Sequence, residues 1–266
     1  MSRYPIAPVE FTALRTVPLA ARGGKVKVAD FATPYQAGAG VTGLLRSMPR
    51  LLAADSLRGV VAAILGARAA GKPIVWGLGG HVVKCGLAPV LIDLMERGCA
   101  TAFAMNGAAA IHDFEIALAG HTSEDVETAL PDGSFGAAEE TGRGMNQAVA
   151  AAEDSVGMGE ALGRRLDQIA APQFAPSSLL VQAWRRGVPV TVHVAVGTDT
   201  PHTHPAIDAA ALGRATHHDF RLFAALVREL DQGGVYLNIG SAVVLPEVFL
   251  KALSAVRNLG HTVREF

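Results

Sequence analysis

Residues 74–81 read IVWGLGGH, an apolar run that ends in three closely spaced glycines and a histidine. An apolar strand that leads through a small-residue turn into a helix is the repeating unit of parallel α/β sheets. The helix is predicted over residues 82–97. Just before the strand, Gly71 and Pro73 end another helix, predicted over residues 56–70. This stretch therefore predicts the first strand–turn–helix unit of a parallel sheet.

Three further units follow the same pattern. Their strands, turns and helices are predicted at 100–105, 106–107 and 108–118, at 188–196 and 197–199, and at 235–237, 238–241 and 246–256. Four such units predict an α/β fold with a mostly parallel sheet and helices on both faces. Ligands bind outside the carboxyl ends of the strands in such sheets, so the candidate site lies in these turns.

The rest of the chain is predicted to complete a single α/β domain over residues 1–266. The predicted parts are an N-terminal arm at 1–24, a strand at 25–30, a helix at 36–47, and a mainly helical middle at 124–187 with a glycine-rich loop at 131–136.

Charge and cysteine content indicate which classes of partner and compartment to expect. The formal net charge is −1 and the chain has no block of Lys or Arg, so no nucleic acid is expected as a partner. The pairs Arg164–Arg165 and Arg185–Arg186 are interpreted as solvated helix faces. The chain has only two cysteines, which is typical of a reducing compartment. It shows no apolar signal core, and every apolar run is short. We therefore expect a cytoplasmic protein that does not interact with membranes. Only 18% of residues are charged, which predicts apolar surface buried in a homo-oligomer.

The first two turns carry candidate ligand-binding residues. Gly79, Gly80 and His81 open a helix after a strand, a context that suits a phosphate, although a tight packed turn explains the glycines equally well. Lys84 follows on the first helical turn.

The second turn, Asn106–Gly107–Ala108, has no bulky side chain and could face a flat ligand group. His112, Asp113 and Glu115 follow on its helix, with Glu115 one turn from His112.

A histidine-rich segment follows the third predicted strand. His193, Asp199, His202 and His204 lie within twelve residues of each other. A metal site is one interpretation, because two histidines and a nearby aspartate can supply three ligands. Substrate binding or acid–base catalysis by one or two of the histidines is favoured instead, because prolines at 201 and 205 interrupt the segment.

Five segments together resemble deoxyhypusine synthase, over about residues 31 to 256. They are residues 35–37, 80–87, 104–108 with Asp113 after them, 189–199 and 240–243. The resemblance implies a Rossmann-like fold, NAD as cofactor and a tetramer. The residues that it places against NAD are Gly79, Gly80, His81, Asn106, Gly107, Ala108, Asp113, Gly240 and Ser241.

The chain differs from that family at the position of the family's active-site lysine. The family's active-site lysine directly follows the segment that resembles 240–243, whereas this chain continues Val244–Leu245–Pro246–Glu247 and has no lysine until Lys251. The sequence therefore predicts an NAD-dependent oxidoreductase or transferase that performs redox or elimination chemistry on a small polar metabolite and does not make deoxyhypusine. Its candidate catalytic residues are His202, His204, Asp199, Lys84 and His112.

Two alternatives stay open at this point. One is a metal-dependent hydrolase or lyase that uses His193, Asp199, His202 and His204. The other is a non-catalytic paralogue that binds a nucleotide.

Overall fold

A computed structural model describes residues 3–266 of the protein. Two compact units make up the chain, one that ends at Val60 and one that comprises Val61–Phe266. In the first unit, 3₁₀ turns at Leu19–Ala21 and Val28–Asp30 precede helix α1 (Gly40–Ser47). The strand predicted over residues 25–30 is wrong: within residues 3–266 the segment pairs with no other strand, and it ends in a 3₁₀ turn.

Four parallel strands form the sheet of the second unit. They are β1 (Ile74–Leu78), β2 (Ala102–Asn106), β3 (Val190–His193) and β4 (Val235–Ile239). The order is β3-β2-β1-β4, and β1 pairs in parallel with both β2 and β4. The four predicted strands and their parallel arrangement are confirmed, although β3 is shorter than the predicted 188–196.

Helices precede, connect and follow these strands. Their bounds are α2 (Leu52–Ala69), α3 (Gly80–Lys84), α4 (Ala88–Glu96), α5 (Gly107–Ala119), α6 (Val126–Ala129), α7 (Glu139–Ala150), α8 (Met158–Ile169), α9 (Leu179–Arg186), α10 (Ala209–Arg228) and α11 (Val244–Asn258). The single helix predicted over 82–97 is two helices, because Gly86 adopts a left-handed φ of 86° that ends α3, and Pro89 then opens α4.

The two faces of the sheet pack against different sets of helices, although α10 contributes to both. Trp76, Phe103 and Met105 belong to one core with residues of α3, α4, α5, α8 and α9. The alternate residues Val75 and Ala104 point the other way, into a second core with α10 and α11. The prediction of helices on both faces is confirmed.

Side chains of α10 form hydrogen bonds with the outer edge of β3. This strand leads into the loop that contains Asp199. Asp219 accepts hydrogen bonds from the backbone N–H groups of Val192 (2.7 Å) and Gly159 (2.8 Å). The Thr216 hydroxyl donates to the carbonyl of Val192 and accepts from the N–H of Val194. Groups that an open edge strand would leave unpaired are thus satisfied, and the end of β3 is held in place.

No helix within residues 3–266 combines the length and apolar character needed to cross a bilayer.

Candidate functional site

A cavity of about 240 Å³ lies at the carboxyl ends of the first three strands. Lys84 reaches it from the end of α3 after β1, His112 from α5 after β2, and Asp199 from the loop after β3. Three residues predicted to be catalytic from separate parts of the sequence therefore line one cavity. Its other lining residues are Ala108, Ile111, Glu115, Ser123, Glu124, Val126, Phe135, Thr198 and Thr200.

His112 is held by a hydrogen-bonded chain that ends on a carboxylate. The Thr122 hydroxyl donates to Glu115, so its oxygen accepts from Nδ1 of His112 at 2.7 Å. The other Glu115 oxygen accepts from Thr141 at 3.1 Å. In the neutral imidazole the proton then resides on Nδ1, which leaves the lone pair of Nε2 free to accept a proton.

The protonation state of His112 follows from its surroundings. Burial lowers the pKa of this half-buried imidazole below its ordinary value, and Glu115 partly offsets the effect. The positive charge of Lys84 and the nearby His81 lower the pKa further. The ring is therefore neutral at pH 7 and suited to act as a base.

Asp199 lies against the first turn of α5. A Cβ on Gly107 would lie 2.0 Å from Oδ2 of Asp199, so only glycine at position 107 leaves room for the carboxylate. Oδ2 has no hydrogen-bond partner among the described residues, and burial raises the pKa of Asp199 although His202 lowers it. Oδ2 itself is closed off from solvent, but Asp199 lines the cavity, so its carboxylate can accept a hydrogen bond from a ligand there.

The backbone near Lys84 is strained. Ser123 has a φ of 75°, in the left-handed region that non-glycine residues rarely adopt. Its hydroxyl lies 3.5 Å from Nζ of Lys84, and both residues line the cavity. Ser123 therefore lines the cavity from a backbone conformation that is uncommon for a non-glycine residue.

The glycine turn after β1 packs against the turn after β4. The N–H of Gly79 donates to Ile239 at 2.9 Å, and a Cβ on Gly79 would lie 1.9 Å from the carbonyl oxygen of Gly240. Ser241 is buried and accepts from the N–H of Leu245 at the start of α11. Close packing between the two turns therefore accounts for Gly79 and Gly240. Gly80 is buried against Ala108, and His81 is exposed beside it.

Asn106 and Asp113 serve the ends of helices. The Asn106 side chain caps α5 by accepting from the N–H of Ala109 at 2.9 Å. Asp113 is fully buried, and its two oxygens accept from Ser178, Leu179 and Leu180 at the start of α9. The Asp113 side chain lies outside the cavity, because consecutive residues of a helix point about 100° apart.

The histidine-rich segment does not converge on one point. His193 is buried on β3, where its ring packs edge-on against Phe223 and bonds to Thr191. Burial lowers the pKa of His193 to about 4. His204 is bonded to Glu139 at 3.0 Å, outside the cavity. No group of three or more His, Cys, Asp or Glu within residues 3–266 could hold a metal ion.

His202 lies beneath Asp199. Its Nδ1 accepts from the N–H of Gly197, so the neutral ring carries its proton on Nε2, which is 4.0 Å from Oδ2 of Asp199. The side chain of His202 is only 5% exposed, so it faces Asp199 and not the open cavity.

A second cavity of about 660 Å³ adjoins the first, since both are lined by Glu115, Ser123 and Glu124. His121 and Glu140 contribute to its wall.

The sequence analysis singled out Glu115 but missed Thr122 and Ser123. These two residues stand in a loop that resembles no motif, and only their contacts in the fold show their position.

The fold and the cavity define a parallel α/β protein with a candidate site at the carboxyl edge of its sheet. No family model and no curated protein matches the chain. Solved structures do match, at low identity. ArgZ, an arginine dihydrolase from Cyanobacteria, is 20% identical over 74% of this chain with a TM-score of 0.45. AgrE in complex with ornithine and NAD⁺ is 15% identical over 77% of this chain with a TM-score of 0.41.

The chain spans a quarter of ArgZ and a third of that AgrE structure. A protein from Entamoeba histolytica assigned as a deoxyhypusine synthase is 12% identical, with a TM-score of 0.44 over 85% of this chain and 96% of the other. This similarity to a protein assigned as a deoxyhypusine synthase is distant.

Proposed function

We propose that the protein is an NAD-dependent enzyme that oxidises a small polar metabolite in the cavity lined by Lys84, His112 and Asp199. The observation that supports this proposal most strongly is the chain from Glu115 through Thr122 to His112. It presents a neutral imidazole in a defined tautomer to a cavity that also contains a buried carboxylate without a partner.

The residues of the cavity fit parts of NAD, the cofactor that the family resemblance implies. The carboxylate of Asp199 is an acceptor suited to a ribose hydroxyl. Ala108 adds a small side chain to the wall, against which a flat ring could lie. The start of α5 is already occupied by the Asp199 carboxylate, so we place no phosphate there.

The residues of the cavity have distinct roles in the proposed oxidation. Bound NAD supplies a hydride acceptor for a carbon that bears a hydroxyl or amino group. Nε2 of His112 takes the proton from that hydroxyl or amine, while Thr122 and Glu115 keep Nδ1 protonated and stabilise the imidazolium. Lys84 supplies a positive charge at the cavity wall for a polar group of the substrate. This scheme assigns the base to His112 in place of His202 or His204.

Calorimetric titration with NAD tests the proposal. Wild-type protein should bind NAD, and Asp199→Ala should weaken binding by about 10–100-fold, since a hydrogen bond to a charged group contributes about 1.5–3 kcal/mol. The variant should melt at the same or a higher temperature, because it removes a buried carboxylate with an unpartnered oxygen.

Asp93→Ala is the matched control, because Asp93 is an exposed carboxylate on α4 that pairs with Arg97. This variant should bind NAD like the wild type. Equal affinity in wild type and Asp199→Ala would contradict the role of Asp199, and no heat from folded wild type at millimolar NAD would contradict the cofactor.

A homo-oligomer is proposed as the functional form. Large apolar side chains before Val60 are well exposed: Ile6 is 79%, Phe11 73% and Leu52 90% exposed. Large apolar side chains that are exposed in such number are often covered by a partner. Light scattering at micromolar concentration should give a multiple of the monomer mass, with the tetramer favoured by the family resemblance. A monomer would refute the proposal.

A further inference from the structure

A groove of about 510 Å³ lies between α7 and α8 and shares no lining residue with the cavity of His112. Arg164 and Arg165 of α8 line it, together with the amides of Gln147 and Gln168. Its remaining lining residues are Ala148, Ala151 and Ala161. No carboxylate is among these residues, so every charge on the wall is positive.

The polar groups of this groove have no partners within the described residues. Arg164 and Arg165 are half-buried, and neither forms an ion pair or a side-chain hydrogen bond. The amides of Gln147 and Gln168 are also without partners. Each guanidinium offers a planar fork of donors that matches the oxygens of a phosphate.

Arginines on neighbouring surfaces are paired. Arg143 on α7 bonds to Glu139, and Arg185 on α9 bonds to Asp167 at 2.7 Å. Asp167 follows Arg165 by two positions on α8, yet its carboxylate is used by α9. Arg164 and Arg165 therefore differ from these arginines of α7 and α9, because neither pairs with a carboxylate.

We propose that this groove binds a small phosphorylated molecule, with its phosphate groups on Arg164 and Arg165. The volume exceeds what a phosphate group needs and falls in the range of small-molecule sites, so an organic part also fits. The alanines form an apolar floor for that part, and Gln147 and Gln168 offer donors and acceptors at its rim.

Calorimetric titration with inorganic pyrophosphate and with ribose 5-phosphate at low salt tests this inference. Wild-type protein should bind at least one probe with sub-millimolar affinity. The double variant Arg164→Gln/Arg165→Gln should bind it about tenfold or more weakly, because two charge-assisted contacts are lost. Arg164→Lys/Arg165→Lys should be intermediate, because lysine keeps the charge and loses the planar fork.

Two control variants test whether the loss of affinity is specific to the groove. Arg97→Gln/Arg228→Gln removes the same charge from two exposed ion pairs and should leave the affinity unchanged. Asp199→Ala should also leave it unchanged, which separates this groove from the proposed NAD site.

Three results would overturn the inference. These are no saturable binding to folded wild type at millimolar probe, equal weakening in the Arg97/Arg228 control, and a double variant that loses thermal stability while binding the probe normally. The last result would mean that the arginines serve only the negative C-terminal end of α7.

Discussion

Replacing His112 by glutamine is expected to lower kcat by a factor of about 10²–10⁴, the usual contribution of a positioned general base. Glutamine fills similar space and can bond to Thr122, but it cannot take a proton. The measurement is the rate of NADH formation on the alcohol or amine substrate found by screening. KM should change much less than kcat, because the imidazole acts mainly in the transition state.

The pH profile provides a second check on His112. Burial lowers the pKa of this histidine, so the unprotonated base persists below the ordinary histidine value. Wild-type kcat should therefore hold as the pH falls to about 6.5 and decline only below that value. The acidic decline should be absent in the residual activity of His112→Gln.

His121→Gln is the matched control. His121 is an exposed histidine on the wall of the neighbouring cavity, and it takes no part in the chain to Glu115. Its variant should keep kcat within a small factor of wild type. A His112→Gln enzyme with wild-type kcat would remove the base from the proposed mechanism.

Replacing Asp113 by alanine is expected to lower the free energy of unfolding by about 3–5 kcal/mol. The variant leaves the N–H groups of Leu179 and Leu180 and the hydroxyl of Ser178 without their shared acceptor in a fully buried site. Burial raises the pKa of Asp113 although all three hydrogen bonds lower it, and loss of the carboxyl also leaves a void. Chemical denaturation of the two proteins measures the difference.

Ser178→Ala serves as the graded comparison for Asp113. It removes one of the three bonds and should cost about 1–2 kcal/mol. A loss below 1 kcal/mol in Asp113→Ala would show that α9 does not depend on this cap. Normal NAD binding by the folded fraction would support a structural role, since Asp113 lies outside the cavity.

Local patterns were sufficient to predict the sheet. The apolar runs around Val75, Phe103 and Val192 are each followed by a turn of small or polar residues, and this punctuation indicates parallel strands without any knowledge of distant contacts. The short helix α3 shows the limit of such patterns. The apolar periodicity continues through Gly86, and only the left-handed backbone at that residue divides the helix.

The candidate site was harder to predict, because packing between distant segments decides it. Spacing places His112 and Asp113 together, yet one faces the cavity and the other caps α9. The glycine at position 107 suggests a ligand, but its partner is Asp199. Thr122 orients His112 from a loop that contains no recognisable motif.

The most direct test of the central claim is a crystal structure of the protein grown with millimolar NAD. The proposed function predicts density for the cofactor in the cavity of Lys84, His112 and Asp199, with a ribose hydroxyl on the carboxylate of Asp199 and the nicotinamide ring near Nε2 of His112. Density for NAD at another place in the fold, with this cavity filled by solvent, would contradict it.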